Sequence, residues 1–160
     1  MNLEKADTIL VHGEHWLSRM IQKVTQSRWN HTAMYMGDNL VMQVDRNGVK
    51  IYEVSEFLSK DISVFRHKGI TQEKADKIIR ESLLEVGNKY DVLQIIELFW
   101  LYATHQRGTA FEIGSKNRFI CSELVSRPYY NNGLIIKDNI NASQISPADY
   151  SDSSYMFEIK

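Results

Sequence analysis

The sequence predicts an α+β domain in which a small antiparallel sheet or half-barrel packs against helices. Short apolar and β-branched runs bounded by turn residues alternate with segments of helical periodicity. The chain has 160 residues, 43% of them apolar, which is enough for one globular core. No internal repeat, low-complexity tract or linker divides it, so residues 1–160 are expected to form one domain.

The first half of the chain carries the predicted strands. Short apolar runs predict strands at residues 8–11, 31–36, 40–45, 49–52 and 62–65. The second and third runs flank Gly37, Asp38 and Asn39, a composition that favours a hairpin turn. Apolar residues at helical spacing predict an amphipathic helix over 14–26, and a turn or short helix is expected near 55–58.

Helices dominate the second half. Thr71 can cap a helix over 72–86, whose apolar face includes Leu83 and Val86 and which Gly87 and Asn88 end. Another helix, over about 92–104, is apolar nearly all round. We expect it to be buried in the core; the alternative is that one side lines a substrate cleft, an acyl-chain groove or a partner contact.

The remaining segments surround the single cysteine. A polar, glycine-bearing connection covers 105–118, and a helix begins at Cys121 and is expected to kink or end near Pro128. Pro147 then introduces the closing segment of the chain.

Composition and charge exclude several classes of protein. The net charge of −1 argues against a nucleic-acid surface. The longest apolar stretch, 92–103, is interrupted by Gln94 and Glu97 and is shorter than the roughly 20 residues of a spanning helix, so no stable membrane insertion is expected. Glu4 and Asp7 stand where a secretory signal would be basic and then apolar, which predicts a cytoplasmic protein. No oligomeric state is predicted.

Cys121 lies in the segment NRFICSELVSRPYY, where a polar and aromatic lead-in gives way to the start of a helix. A thiol at a helix N-terminus is stabilised as thiolate by the helix dipole and the unpaired N–H groups. Ninety residues upstream, RWNHTAMYMGD puts His31 at the head of a predicted strand. A nucleophile and a base far apart in sequence are what a cysteine hydrolase needs.

Five short motifs resemble those of the NlpC-type papain-like cysteine hydrolases. WNHTAMYMGD resembles their histidine strand, VGNKYD their Gly-x-x-Tyr element and FICSELV their Cys-Ser helix start. ADTIL resembles a Gly-Asp-Ile-Leu opening, with Ala6 in place of glycine, and SPADY a trailing Pro-x-Asp motif. Because the histidine comes first and the cysteine last, the chain resembles the circularly permuted YiiX group and, more distantly, the lecithin retinol acyltransferase-like proteins.

The resemblance implies a mechanism that needs neither cofactor nor metal. Cys121 would attack a carbonyl carbon, His31 would take and return the proton, and a thioester would form and then be opened. The oxyanion would meet backbone N–H groups at the helix start and the hydroxyl of Tyr90, because the family has a tyrosine near this point. His12 and His15 have no third cysteine or histidine nearby, so we predict no metal site.

The residue that orients His31 has two candidates, Gln43 and Asp45, which share one face of the predicted hairpin with His31. If the turn pairs Tyr35 with Asn39, Gln43 lies opposite His31. If it pairs position 36 with position 40, Asp45 does. The family places its orienting polar residue at the position of Gln43, which favours that residue.

Three functions follow from these observations. The first is an amidase or peptidase acting on a small peptide-like substrate. The second is a thiol acyltransferase or a lipid or ester hydrolase acting on an acylated substrate, and the third is a non-catalytic binding module on the same fold. The presence of both Cys121 and His31 in matching motifs disfavours the third.

Overall fold

The computed structural model describes residues 2–14, 16–108 and 118–159, and of residues 16, 17 and 92 it describes only the backbone. The strands are β1 (Thr8–Val11), β2 (His31–Gly37), β3 (Leu40–Asp45), β4 (Gly48–Glu53), β5 (Ile62–His67), β6 (Lys89–Tyr90), β7 (Arg118–Phe119) and β8 (Met156–Ile159). The helices are α1 (Trp16–Thr25), α2 (Ser55–Leu58), α3 (Gln72–Leu83), α4 (Val92–Ala103), α5 (Cys121–Asn131) and α6 (Pro147–Ser151). This mixed architecture confirms the predicted α+β class.

Six strands form one antiparallel sheet in the order β4-β3-β2-β1-β5-β8. The strands β6 and β7 pair in parallel, apart from this sheet. In β1, Val11 is paired both with His31 and with Ile62. His31 is therefore the first residue of a strand that lies near the middle of the sheet.

Both faces of the sheet are covered. Leu10 and Met34 belong to a core that includes residues of α3 and α5, while their neighbours Ile9 and Ala33 belong to a second core with Phe57 of α2. This is the alternation that a pleated strand imposes. The helix α5 packs against β2 and β3 and α3 against α5, so the helix that begins at Cys121 lies directly on the sheet.

Two helix boundaries differ from the sequence predictions. The helix α3 ends at Leu83 and not at Val86, and these two side chains are 46% and 45% exposed, because Ser82 occupies the buried position instead. The helix α5 continues through Pro128 to Asn131. The turn after the proline holds Tyr129, which is fully buried and donates a hydrogen bond to the carbonyl of Ala6. Tertiary packing of this turn overrides the helix-breaking tendency of proline.

The prediction that the apolar helix α4 is buried in the core is wrong for one of its sides. Its inner side carries the buried residues Ile95, Leu98 and Leu101. Its outer side exposes three large apolar side chains, each by more than half: Leu93, Ile96 and Trp100. In the part of the chain that the structure describes, no helix has both the length and the apolar character needed to cross a bilayer.

Candidate active site

The thiol of Cys121 stands at the start of α5. Ile120 adopts an extended conformation, and Cys121 is the first helical residue. Helix geometry leaves the N–H groups of the first turn without intrahelical acceptors. The N–H of Ser122, in that turn, and the N–H of Thr32, on β2, donate to the Cys121 sulfur. The side chain is 6% exposed, so a thiolate formed here is surrounded by donors and has little contact with water.

The imidazole of His31 lies at the beginning of β2, between the cysteine and the third strand. Its Nε2 lies 2.7 Å from Oε1 of Gln43, an oxygen that can only accept, so Nε2 carries a hydrogen and donates it. The thiol of Cys121 is a second hydrogen-bond partner of the ring. Because Nε2 is engaged with Gln43, Nδ1 is the nitrogen left to exchange a proton with sulfur.

The pKa values of the two groups move in opposite directions. Burial would raise the pKa of Cys121, but the charge of His31, its hydrogen bond and the two backbone N–H donors lower it. Burial would lower the pKa of His31, but the charge and hydrogen bond of Cys121 and the hydrogen bond of Gln43 raise it. Both shifts favour the thiolate–imidazolium pair, which is the reactive form of a catalytic cysteine.

Gln43 contacts His31 even though the strands take the other predicted register. Tyr35 pairs with Val41 and Met34 with Met42, which is the register that would place Asp45 opposite His31. The long side chain of Gln43 reaches His31 from the diagonal position, as extended side chains can across two strands. Asp45 instead accepts hydrogen bonds from the Tyr52 hydroxyl at 2.6 Å and from the Asn47 N–H at 2.7 Å.

Tyr90 reaches the site because its segment is bound to β4. The N–H of Val49 donates to the carbonyl of Asn88 at 2.8 Å. A Cβ at Gly48 would lie 2.4 Å from that carbonyl, and the backbone φ there is +91°, so both space and conformation favour glycine. Burial and the nearby charge of Cys121 raise the pKa of Tyr90, which keeps its hydroxyl protonated and able to donate.

Two further residues at the site escaped the sequence analysis. Asn30 precedes His31 and is 4% exposed; its side chain accepts from the N–H of Gly13 at 3.2 Å and donates to the carbonyl of Gly13 at 2.8 Å. Lys60 follows α2, and its charge lowers the pKa of His31. Asn30 could have been found from the sequence because it directly precedes His31. Nothing in the sequence distinguishes Lys60 from other surface lysines, because only the folded structure brings it near His31.

Two adjoining openings in the protein surface give access to Cys121 and His31. One, with about 370 Å³ of empty space up to its mouth, includes Cys121 in its lining but not His31. The other, with about 890 Å³ up to its mouth, includes His31 and Lys60 but not Cys121. Tyr90 and Asn30 line both. The carbonyl group of a substrate can therefore meet sulfur and imidazole at the junction of the two.

The first and last of the five motifs, ADTIL and SPADY, stabilise the fold. Asp149 of the SPADY segment is 2% exposed, forms ion pairs with Arg107 and with Lys137 (2.7 Å to the latter) and accepts from the N–H of Ser146 at 2.8 Å. In the ADTIL segment, Asp7 accepts two hydrogen bonds from Arg66, at 2.7 and 2.8 Å. These partners lie in other segments of the chain or in the backbone at the start of α6, so the two carboxylates hold chain segments together.

Metal-binding groups are not gathered in the described part of the chain. Among residues 2–14, 16–108 and 118–159, no three His, Cys, Asp or Glu side chains form a cluster that could hold an ion. Nδ1 of His12 lies 2.9 Å from both Nε2 of Gln22 and the carbonyl oxygen of Arg28, and the tautomer of the ring decides which of the two it hydrogen-bonds. His15 lies outside the described residues.

Comparisons with known proteins bear on the family and on the fold. The family model described as permuted papain-like amidase enzyme, YaeF/YiiX, matches residues 2–157. The fold is similar to that of a crystal structure described as metalloprotein YiiX from Escherichia coli O157:H7, with a TM-score of 0.73 and 19% sequence identity over 96% of this chain and 94% of that chain. No curated protein matches the sequence. The family match and the shared fold confirm the resemblance to the permuted papain-like cysteine hydrolases.

Proposed function

Because the chain belongs to the permuted papain-like amidase family of YaeF and YiiX, we propose that it is a cysteine hydrolase that cleaves an amide bond through a thioester. Cys121 is the nucleophile, His31 the acid and base, and Gln43 the residue that orients the imidazole. The observation that carries the proposal is the coupling of one buried thiol at a helix start to one imidazole, with both pKa values displaced toward the ion pair.

The first half of the reaction forms the acyl-enzyme. The Cys121 thiolate attacks the carbonyl carbon, so a C–S bond forms and the carbonyl oxygen takes the negative charge. The N–H of Cys121 and the hydroxyl of Tyr90 are the donors best placed by sequence and burial to stabilise that oxygen. The imidazolium of His31 then gives its proton to the amide nitrogen, the C–N bond breaks and the amine leaves.

Water completes the cycle. Neutral His31 takes a proton from water, whose oxygen attacks the thioester, and the C–S bond breaks to release a carboxylic acid. The larger opening beside His31 gives water a route to the acyl-enzyme. The sum is hydrolysis of one amide to one acid and one amine, with thiolate and imidazolium restored.

The titration of Cys121 tests the proposal directly, since it is the only cysteine in the chain. Alkylation by iodoacetamide, followed by intact-mass spectrometry from pH 4 to 10, reports the fraction of thiolate at this one residue. We expect rapid alkylation of the folded protein well below the unperturbed thiol pKa of ~8.5. In His31→Ala the profile should move toward that value.

The same chain in urea is the matched control, because unfolding removes the helix, the imidazole and the backbone donors together. Folded and unfolded profiles that coincide would contradict the proposal. A second measurement uses 4-nitrophenyl acetate: an acetyl adduct should appear on the protein and be absent in Cys121→Ala. An adduct that persists in Cys121→Ala would exclude the cysteine as nucleophile.

A thiol acyltransferase is the second candidate, and it has one observation in its favour. The opening beside His31 is large enough to admit an amine or alcohol as well as water. Adding a primary amine to the acetyl-enzyme and measuring N-acetylated product against free acetate separates the two activities. Hydrolysis predicts mainly acetate even when the amine is in excess.

A further inference from the structure

The opening that contains Cys121 is lined by residues of four helices, and we call it the acyl slot. Its lining includes Ile95, Leu98 and Phe99 of α4, Ile21 of α1, and Ile120 and Cys121 at the start of α5. The inner side of α4 thus lines the same opening as the nucleophile, which corresponds to the cleft-lining alternative of the sequence analysis.

Two polar side chains on the walls of the acyl slot, Tyr102 and Asn30, are engaged elsewhere, whereas the buried Oγ of Ser122 has no hydrogen-bond partner among the described residues. The hydroxyl of Tyr102 lies 2.6 Å from the Ser146 hydroxyl, and these two groups hydrogen-bond to each other. Asn30 makes both of its side-chain hydrogen bonds with Gly13. The surface left for a ligand is almost entirely hydrocarbon and aromatic ring. Covering such a surface removes apolar area from water, which favours an apolar ligand.

The opening on the other side of the catalytic pair has the opposite character. Glu14, Ser18 and Lys60 line it together with His31, and it is wider and more open than the acyl slot. It carries charges of both signs, so it suits a polar, hydrated group without selecting its charge.

Chemistry decides which half of a substrate occupies which opening. The acyl part stays bonded to sulfur, so it must lie on the side of Cys121. The amine takes its proton from the imidazole, so it must leave on the side of His31. Resting on the function proposed above, we infer that the substrate is an N-acyl amine whose acyl part is an apolar hydrocarbon group and whose amine part is polar.

The lining of the acyl slot favours a hydrocarbon acyl part. The empty space of about 370 Å³ includes open solvent, and the exposed surface of its walls is almost entirely apolar. Each methylene covered by apolar walls contributes about 0.8 kcal/mol, which corresponds to about a fourfold gain in kcat/KM.

The test is a series of 4-nitrophenyl esters of acetic, butanoic, hexanoic and octanoic acid, used below the concentrations at which they aggregate. We expect kcat/KM to rise two- to fourfold per methylene up to at least the hexanoyl ester. Equal kcat/KM across the series, with acyl adducts still forming on Cys121, would overturn the inference and leave the proposed function standing. Failure of every ester, together with no adduct, would count against the proposed function instead.

A pair of variants on α4 locates the effect. Leu98→Phe places a larger side chain in the wall of the acyl slot, and we expect the ratio of kcat/KM on the hexanoyl ester to kcat/KM on the acetyl ester to fall at least tenfold. Ile96→Phe, two residues earlier on the exposed side of the same helix, is the matched control and should retain the wild-type preference. If Leu98→Phe does not fold, Phe99→Ala removes apolar wall from the slot and should lower kcat/KM on the hexanoyl ester relative to the acetyl ester. An unchanged preference in the slot variant that folds would refute the assignment.

Discussion

Removal of the Gln43 side chain is the sharpest test of how the imidazole is held. Gln43 Oε1 accepts from Nε2 of His31 at 2.7 Å, and this bond fixes the ring orientation and leaves Nδ1 for Cys121. A hydrogen bond to a charged group contributes about 1.5–3 kcal/mol. If the bond is fully formed in the transition state, Gln43→Ala should lower kcat/KM by about 10- to 150-fold.

The pH dependence of kcat/KM is a second measurement on Gln43→Ala, and it reports the direction in which the pKa of His31 changes. The hydrogen bond of Gln43 raises the pKa of His31, so its loss lowers that pKa. The alkaline limb of kcat/KM, where the imidazolium loses its proton, should therefore move to lower pH in Gln43→Ala. Gln43→Glu, which replaces the amide with a carboxylate, should move it to higher pH.

Asp45→Asn is the matched control for both measurements. Asp45 lies on the same strand, but its carboxylate accepts from the Tyr52 hydroxyl, an interaction that raises the pKa of Tyr52 to about 12. We expect kcat/KM within about threefold of wild type and an unshifted profile. Wild-type activity in Gln43→Ala, combined with a large loss in Asp45→Asn, would refute the reasoning.

Three other changes have defined outcomes. Lys60→Gln removes a charge that lowers the pKa of His31, so at low salt the alkaline limb of the rate profile should move to higher pH. This difference from the wild type should become small near 1 M salt, where the charge is screened. Tyr90→Phe should lower kcat by about 100-fold with little change in KM if the hydroxyl binds the oxyanion, as steady-state kinetics can show. Asp149→Asn should cost about 3 kcal/mol of unfolding free energy in urea at pH 7, because it leaves Arg107 without its buried partner. Burial raises the pKa of Asp149 but Arg107 lowers it further, so this wild-type advantage is present above the unfolded-state pKa and disappears as the pH falls through the folded-state pKa.

Local patterns were enough to find the elements that carry the two reacting groups. The apolar run ended by a glycine, the turn residues between two strands and the polar lead-in before Cys121 are all read within one segment, and β1, β2, β3 and the start of α5 lie where they predict. The boundaries that failed depend on contacts between segments. The helix α5 passes Pro128 because Tyr129 is buried against the first strand, and no local signal near the proline reports that contact.

The sequence alone did not determine which residue hydrogen-bonds to His31. Periodicity placed Gln43 and Asp45 on one face but left the register open, since a shift in the pairing exchanges the residues opposite each other. The folded sheet has the register that favours Asp45, yet the longer Gln43 side chain reaches the ring diagonally while Asp45 is held by Tyr52. A choice of this kind depends on side-chain reach and on competing partners, and both exist only after the strands have paired.

The amino-acid sequence alone determined the two reactive groups, a thiol at the start of a helix and an imidazole at the start of a strand. The spacing of its apolar residues determined the α+β fold class. The arrangement of that chemistry in space is a property of long-range contacts. The sequence of α4 is apolar nearly all round, and periodicity identifies the face of a helix only where polar positions interrupt the apolar ones. The sequence therefore does not determine which side of α4 faces the core, the solvent or the nucleophile. Packing between α1, α4 and α5 decides it, and in doing so forms the slot beside Cys121.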